Sequence, residues 1–183
     1  LYAATVEASL QKAGFAVKTV TIPAGEKSKS LETLRQIYHE LLAEEPFAVS
    51  RTDLIVALGG GVVGDVAGFA AATLLRGVPY LQIPTTVLAQ VDSSVGGKVA
   101  VDLAQGKNLA GAFYQPRMVL MDPPTPNTPS DRVFFEGMGE VVKYGVIRDA
   151  ELFCRLEGCA GRLALMRQID DIILTCCDIK RQV

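Results

Sequence analysis

The feature that most constrains the fold of this chain is an apolar stretch that runs into a glycine-rich turn and then into small residues: DLIVALGGGVVGDVAGFAAATLLR, residues 53–76. A short apolar run such as DLIVALG is typical of a strand buried in a parallel sheet. The segment VAGFAAATLLR predicts a helix that Gly77 closes. A strand, a tight turn and a helix in this order indicate a βαβ unit.

Strand and helix patterns alternate over most of the chain. A first helix to about Lys12 precedes FAVKTVTI, residues 15–22, whose alternation predicts a strand. Ser30 can cap the amphipathic helix LETLRQIYHELLAEE, and VPYLQIP and RMVLMD predict two more strands. Strands that alternate with helices form a parallel sheet covered on both faces, so we predict an α/β fold.

The proline-rich segment PPTPNTP is the best candidate for a domain boundary, because the sequence after it is helical throughout. We therefore predict one domain over 1–124 and the beginning of an all-helical domain over 125–183. Both ends of the chain lie inside predicted helices without caps, so we expect a segment of a longer protein.

Composition excludes several classes of function. Lysine and arginine number 18 against 20 acidic residues, and the net charge of −2 argues against a nucleic-acid or membrane surface. No apolar run reaches the roughly 18 residues that a membrane span needs, and no signal peptide precedes Leu1, so we expect a cytoplasmic protein. Free thiols are expected at the four cysteines, which lack C-x-x-C spacing: Cys154, Cys159, Cys176 and Cys177.

The glycine turn has the context of a phosphate site. Gly59, Gly61 and Gly64 follow a strand and open a helix, where unpaired N–H groups and the helix dipole favour an anion and missing side chains allow a close approach. Residues 80–88 contain no acid that could bind a ribose, and Glu26 is the nearest alternative. A turn that only packs against the sheet remains the other interpretation.

A second polar stretch, residues 83–108, combines hydroxyl, carboxylate, amide and amino groups with small residues and glycine-rich loops. Such groups near a phosphate turn suit an anionic substrate or cofactor, whereas the alternative is an exposed hairpin. The groups concerned are Thr85, Thr86, Asp92, Ser93, Ser94, Lys98, Lys107 and Asn108.

The third informative stretch is GMGEVVKYG. On a helix, Glu140, Lys143 and Tyr144 lie on one face. The carboxylate could bind a metal ion and the lysine a substrate anion. An ordinary surface ion pair fits the same spacing, so the spacing does not decide between them.

Residues 58–116, followed by GMGEVVKYG, closely resemble the 3-dehydroquinate synthase family of NAD- and divalent-metal-dependent enzymes of the shikimate pathway. The segment AGEKSKS resembles that family's adenosine-side loop, usually D-G-E-x-Y-K, from which Ala24 and Ser28 depart. The resemblance implies a Rossmann-like NAD-binding domain, a helical domain after it, an active site between the two, and a homodimer.

The resemblance also implies roles for individual residues. NAD contacts are implied for Glu26, Lys27, Lys29, Gly60, Gly61, Val62, Val63, Gly64, Asp65, Thr85, Thr86, Lys98, Lys107, Thr125 and Thr128. Positions around the substrate are Arg76, Asp92, Lys98, Asn108 and Lys143.

One metal ligand is implied within the chain, Glu140, which would bind Zn²⁺ or Co²⁺. The family's other two ligands are histidines, whereas the single histidine here, His39, is typical of an ordinary helix residue. We therefore expect the remaining ligands beyond Val183.

The implied reaction converts 3-deoxy-D-arabino-heptulosonate 7-phosphate into 3-dehydroquinate and phosphate. NAD transiently oxidises the substrate, phosphate is eliminated, the hydride is returned, and an intramolecular aldol reaction closes the ring. Three alternatives stay open: a cyclase acting on sedoheptulose 7-phosphate, an oxidoreductase similar to glycerol dehydrogenase, and a non-catalytic nucleotide-binding module. The stretches VDSSVGGK and GKN argue against the second.

Overall fold

A computed structural model describes residues 1–182. The α-helices over this range are α1 (Ala3–Lys12), α2 (Leu31–Leu42), α3 (Gly61–Thr73), α4 (Asp131–Ile147), α5 (Ala150–Glu157), α6 (Gly161–Met166) and α7 (Ile169–Arg181). The strands are β1 (Ile55–Gly59), β2 (Tyr80–Pro84), β3 (Lys98–Leu103), β4 (Gly106–Phe113) and β5 (Met118–Val119). A π-helix, Ala89–Ser93, follows the loop after β2.

The central sheet is parallel, with the strand order β1–β2–β5. β1 pairs with β2 from Ile55 opposite Tyr80 to Gly59 opposite Pro84, so both strands end at the same edge. α3 follows β1 and packs on the sheet through Val66 and Ala70, which are completely buried. The prediction of an α/β fold with a parallel sheet is confirmed.

Strands β3 and β4 form an antiparallel hairpin, which is a separate sheet. Its inner side chains, Val99 and Val101, are buried against α3 and β2. At Gly68 of α3 a Cβ atom would lie 3.1 Å from the Tyr80 hydroxyl and would also collide with Val99. The small residues of α3 therefore permit tight packing, and part of that packing is against the hairpin.

The expected strand over 15–22 is wrong, because this segment has no ladder partner within residues 1–182. Its alternation reflects burial, since Val20 and Ile22 pack on the core around α2 and α3. The Lys18 ammonium donates to the carbonyl oxygens of Ala43 at 2.8 Å and Phe47 at 3.0 Å, which fixes the segment by side-chain bonds.

The other predicted elements lie close to their expected positions. Ser30 caps α2, where its hydroxyl accepts from the Thr33 amide at 3.2 Å. The strand expected over 117–122 is reduced to β5, although the Leu120 amide still donates to Gln82 O at 2.8 Å. None of the helices in residues 1–182 is long and apolar enough to cross a membrane.

Helices α4 to α7 share a hydrophobic core that extends across the segment PPTPNTP. Val87 lies just before the π-helix and Val91 lies within it. Both are buried in the same cluster as Phe134 and Ile173. The division at residue 124 remains a prediction about domains, while the packing joins the π-helix to the helical part. The side chains of the π-helix therefore lie between the sheet and the helices.

Candidate functional site

The glycine turn lies at the carboxyl end of β1, where α3 begins. A Cβ atom on Gly60 would lie 3.2 Å from Thr86 Cγ2, and one on Gly61 would lie 3.0 Å from Ser93 Oγ. The turn is therefore packed directly against the loop and π-helix that follow β2. Because the first N–H groups of a helix lack intrahelical acceptors, this packed turn presents backbone donors without covering side chains.

The carboxyl ends of β1 and β2 border a cavity of about 250 Å³. The Thr85 amide donates to Gly59 O at 2.9 Å, and Thr86 Oγ1 accepts from the Ala89 amide at 3.2 Å. Ligands of open parallel sheets bind at this edge. The lining residues are Leu1, Tyr2, Ala3, Leu58, Gly59, Thr85 and Thr128.

The two predicted threonines of the connector have different surroundings. Thr128 lines the cavity, and its hydroxyl accepts from the Tyr2 hydroxyl at 3.2 Å. Thr125 is 4% exposed. Its hydroxyl donates to Asp122 O at 2.7 Å and accepts from Gln90 Nε2 at 3.0 Å. The Thr125 side chain therefore holds the connector on the π-helix.

Residues from the loop before α2, the start of α3 and the hairpin form the nucleotide-side cluster: Glu26, Lys29, Asp65, Asp102, Lys107 and Asn108. Two ion pairs connect it, Lys29 with Asp65 at 2.5 Å and Lys107 with Glu26 at 2.8 Å. The Asp102 backbone N–H donates to Lys29 O at 2.9 Å, and the Asn108 backbone N–H donates to Asp102 Oδ1 at 2.8 Å. Lys27 is exposed beside this cluster.

Of the two ion pairs, Lys29–Asp65 is the inner, buried one and Lys107–Glu26 is the outer, exposed one. Burial determines the electrostatics of the inner pair. It raises the pKa of the Asp65 carboxyl, and the hydrogen bond and attraction from Lys29 only partly oppose this effect, while Glu26 and Asp102 add to it. At the outer pair, the hydrogen bond to Glu26 raises the pKa of Lys107. The Asp65 carboxyl therefore takes up a proton more readily than an ordinary aspartate, although Lys29 is its partner.

A second group joins the π-helix to α4 and α7, and we call it the helical-side cluster: Asp92, Glu140, Lys143, Tyr144 and Lys180. Asp92 Oδ1 accepts from Lys180 Nζ at 2.6 Å and from the Tyr144 hydroxyl at 3.0 Å. Partial burial opposes ionisation of Asp92, but Lys180, Tyr144 and Lys143 together hold its pKa below the ordinary value. Asp92 is therefore a carboxylate at neutral pH.

The predicted metal ligand, Glu140, lies on the same face of α4 as Lys143 and Tyr144. Glu140 contacts the Lys143 ammonium, which also lies 5.3 Å from the centre of the Tyr144 ring. Within residues 1–182 there is no group of three His, Cys, Asp or Glu side chains that could hold a metal ion. His39 is exposed on α2. In this range Glu140 is thus a single carboxylate with a lysine partner.

Two predicted substrate residues differ in their distance from these clusters. Lys98 is exposed at the start of β3, and in the loop before it a Cβ atom on Gly96 would lie 3.9 Å from Lys180 Cε. Arg76 follows the far end of α3, about 20 Å from the glycine turn for a 13-residue helix. The structure brings Lys98 towards the helical-side cluster and leaves Arg76 at the opposite edge of the sheet.

The sequence patterns indicate one polar side chain of this cluster less clearly than the others, Lys180, which binds the Asp92 carboxylate. A signal for Lys180 exists: it lies four residues after the buried Cys176, on the face of α7 that faces the core. A lysine on a buried helix face needs a polar partner, which here is Asp92.

Comparison with known proteins identifies the family of this chain. The sequence model of a protein family described as "3-dehydroquinate synthase N-terminal" matches residues 19–136. The chain belongs to the 3-dehydroquinate synthase family. The family resemblance inferred from the sequence is thereby confirmed.

Curated 3-dehydroquinate synthases are similar over most or all of the chain. The protein of Clostridium acetobutylicum is 56% identical over 182 residues, which are 100% of this chain and 50% of that protein. The protein of Microcystis aeruginosa is 56% identical over 166 residues, 91% of this chain and 44% of that protein. The chain thus spans about half the length of the curated relatives it matches.

Solved structures share the fold. A 2-deoxy-scyllo-inosose synthase complexed with carbaglucose-6-phosphate, NAD⁺ and Co²⁺ superposes with a TM-score of 0.83 at 32% identity, over 98% of this chain and 49% of that one. A 2-epi-5-epi-valiolone synthase from Streptomyces hygroscopicus with NAD⁺ and Zn²⁺ gives 0.82 at 29%, over 98% and 52%. The predicted Rossmann-like fold is confirmed. A glycerol dehydrogenase from Schizosaccharomyces pombe, with 19% identity and a TM-score of 0.58 over 78% of this chain and 33% of that one, shares the fold alone.

Proposed function

We propose that this chain forms the NAD-binding half of a 3-dehydroquinate synthase, which converts 3-deoxy-D-arabino-heptulosonate 7-phosphate into 3-dehydroquinate and phosphate. The observation that carries the proposal is the direct packing of the glycine turn on the π-helix through Gly61 and Ser93. The preceding residue of the π-helix, Asp92, belongs to the helical-side cluster. A cofactor on the turn and a sugar phosphate beside Asp92 would therefore be neighbours.

The residues of the turn fit NAD. Gly60 and Gly61 leave the start of α3 without side chains, so its backbone N–H groups would bind the pyrophosphate, with Val62, Val63 and Gly64 continuing the turn. Asp65, Lys29 and Lys27, together with Glu26 and Lys107, would surround the nucleoside part. Thr85, Thr86, Thr125 and Thr128 complete the set proposed from the resemblance. When bound, NAD supplies a reversible hydride acceptor.

The substrate groups fit an anion with hydroxyls. Lys98 and Lys143 are exposed cations and would neutralise phosphate and carboxylate charge. Asn108, on the hairpin beside Asp102, is the amide proposed for the substrate. Asp92, ionised at neutral pH, would accept hydrogen bonds from substrate hydroxyls. We also propose Arg76 for the substrate, although in this chain it lies at the other end of α3.

Glu140 is the residue we propose for the metal ion, Zn²⁺ or Co²⁺, which would polarise a substrate hydroxyl. A catalytic zinc site normally takes about three protein ligands, and Glu140 already has Lys143 as partner. We therefore expect the isolated chain to lose zinc on dialysis against metal-free buffer, measured by atomic absorption. Zinc retained at one ion per chain would contradict this assignment.

Three coarser features complete the proposal. We propose a two-domain division near residue 124, a cytoplasmic location and a homodimer. The four cysteines are free within the described range, as in a reducing compartment. On β4, Phe113 is 85% exposed and Leu109 57% exposed, an apolar edge that a second copy could cover.

The decisive experiment measures phosphate release from the heptulosonate phosphate by a longer polypeptide that carries this chain, with NAD and Zn²⁺ present. Phosphate is expected to appear in equal amount to 3-dehydroquinate, without net accumulation of NADH. Sedoheptulose 7-phosphate in the same assay tests the alternative cyclase. Turnover of that sugar alone, or steady NADH release from glycerol, would contradict the proposed function.

A further inference from the structure

The two oxygens of the Asp92 carboxylate have different surroundings. Oδ1 accepts hydrogen bonds from Lys180 Nζ at 2.6 Å and from the Tyr144 hydroxyl at 3.0 Å. No donor within residues 1–182 reaches Oδ2. The protein therefore fixes one oxygen with two donors from α4 and α7, while the other oxygen of this one-third exposed side chain has no protein donor in the described range.

We propose that Tyr144 is a positioning residue, whose hydroxyl aligns the Asp92 carboxylate so that its second oxygen accepts a hydrogen bond from a hydroxyl of the sugar-phosphate substrate. This inference rests on the proposed function, because the contact between Asp92 and the substrate is part of that function. Tyr144 itself would not touch the substrate.

Burial makes the position of Tyr144 specific. The residue is 6% exposed and belongs to the core cluster shared by α4, α7 and the π-helix. Its hydroxyl also lies 3.4 Å from the carbonyl oxygen of Val91, next to Asp92. The ring is therefore held by packing, and the hydroxyl can act only at this turn of the π-helix.

The charges around Asp92 agree with a fixed carboxylate. Lys180 on α7 and Lys143 on α4 are the cations that face it, and both lower its pKa together with the Tyr144 hydroxyl. Burial raises the pKa of Tyr144, and the charges of Asp92 and Glu140 raise it further. Tyr144 thus stays protonated and remains a donor wherever the carboxylate is ionised.

The main test is Tyr144→Phe, which removes the hydroxyl and keeps the ring. The pKa of Asp92 in the 183-residue chain is measured by carbon NMR of aspartate carboxyls. We expect a higher Asp92 pKa in Tyr144→Phe, because one hydrogen bond to the charged form is lost. The matched control is Tyr80→Phe, another buried tyrosine, whose hydroxyl donates to Tyr114 O at 3.0 Å and does not contact Asp92.

A second variant guards against loss of folding. Site-specific replacement of Tyr144 by 3-fluorotyrosine keeps the ring and the hydroxyl but makes the hydroxyl a stronger donor. We expect this variant to lower the Asp92 pKa, the opposite direction from Tyr144→Phe. An Asp92 pKa that moves in neither variant would overturn the inference.

Kinetics separate the inference from the proposed function. In the active longer polypeptide, Tyr144→Phe should lower kcat/KM about tenfold, which corresponds to one lost hydrogen bond to a charged group. The acidic limb of the pH profile should move to higher pH, while Tyr80→Phe should leave that limb in place. An unchanged profile in an active parent overturns the inference alone, whereas an inactive parent overturns the proposed function.

Discussion

The nucleotide-side and helical-side clusters each contain a lysine–aspartate pair, and the two carboxyl groups respond in opposite directions. Lys29 and Asp65 are 2.5 Å apart, and Lys180 and Asp92 are 2.6 Å apart. The pKa of Asp65 is nevertheless raised, whereas the pKa of Asp92 is lowered. Burial opposes ionisation in both, so a lysine partner alone does not decide the direction.

The neighbours of each pair explain the difference. Asp65 also faces the negative charges of Glu26 and Asp102, which raise its pKa further. Asp92 instead accepts a hydrogen bond from the Tyr144 hydroxyl and faces the positive charge of Lys143. Both of these groups lower the pKa of Asp92. The charged and polar groups around a lysine–aspartate pair therefore decide whether its carboxyl takes up a proton readily or stays ionised.

The largest effect is expected at Lys98, which follows the loop beside the helical-side cluster. In an active longer polypeptide, Lys98→Ala should lower kcat about 100-fold, because an anion would lose its neutralising charge. Stability should change little, since the side chain is exposed. Phosphate release measures the activity, and circular dichroism measures the fold.

The matched control for Lys98→Ala is Lys12→Ala, an exposed lysine at the end of α1. Both variants remove one exposed positive charge, so any general effect of charge appears in both. A folded Lys98→Ala variant with near-parent turnover would show that the cation is not part of the site.

The next effect concerns the glycine turn that separates the two clusters. Gly61→Val should weaken NAD binding more than tenfold, because a Cβ atom there already lies 3.0 Å from Ser93 Oγ and the branched side chain would cover the backbone donors. Calorimetry on the 183-residue chain measures this affinity. Gly139→Val is the control, since no atom lies within 4 Å of its Cβ position. Equal affinities in both variants would exclude the turn as the cofactor site.

A smaller effect tests the comparison of the two ion pairs directly. Lys29→Met and Lys180→Met should each lower the free energy of unfolding by about 1–2 kcal/mol at neutral pH, because each leaves a partly buried carboxylate without its main partner. Urea denaturation at about pH 7 and pH 5 measures the difference.

The sign of the pH effect differs between the two variants. A group whose pKa is raised by folding takes up a proton more readily in the folded state, so its cost shrinks as the pH falls. Without Lys29, Asp65 should protonate and Lys29→Met should recover stability towards pH 5. Tyr144 and Lys143 keep Asp92 ionised, so Lys180→Met should recover less. Equal recovery would contradict the role assigned to the neighbours.

The smallest effect is expected for the outer pair of the nucleotide-side cluster. Glu26→Gln removes the ion pair with Lys107, whose side chain is 70% exposed. Water already screens both charges, so the thermal unfolding midpoint should not change measurably. Arg35→Gln, which breaks an exposed pair on α2, serves as reference. A lower midpoint in Glu26→Gln alone would indicate that the outer pair fixes the loop.

The sequence predicts the elements whose signals are local. The Ser30 cap, the glycine turn and the buried strand before it each depend on a few consecutive residues, and each lies where the pattern indicates. Residues 15–22 show the limit of such patterns. Alternating Val20 and Ile22 satisfy burial, but a strand also needs a hydrogen-bonding neighbour, which one segment's sequence does not contain.

The site is predicted less completely than the fold. The family resemblance assigns Asp92 and Glu140, but the bond from Tyr144 to Asp92 joins residues 52 positions apart. Lys180 meets Asp92 only because α7 packs on the π-helix, which depends on tertiary packing. Thr125, which the resemblance assigns to the cofactor, also bonds Gln90 and Asp122 through its hydroxyl, and these contacts depend on tertiary packing as well.

The π-helix has a consequence for local unfolding. Val91 anchors it in the helical core, and the fully buried Gln90 donates to Pro84 O at 3.1 Å and to Asp122 O at 3.0 Å. An opening that separates α4 from α7 would therefore remove the packing around Val91 and both donors to Asp92 in a single event. Amide hydrogens of the π-helix should therefore exchange with solvent at the same opening free energy as those of α7. Local opening of the helical core would then also separate the glycine turn from Ser93.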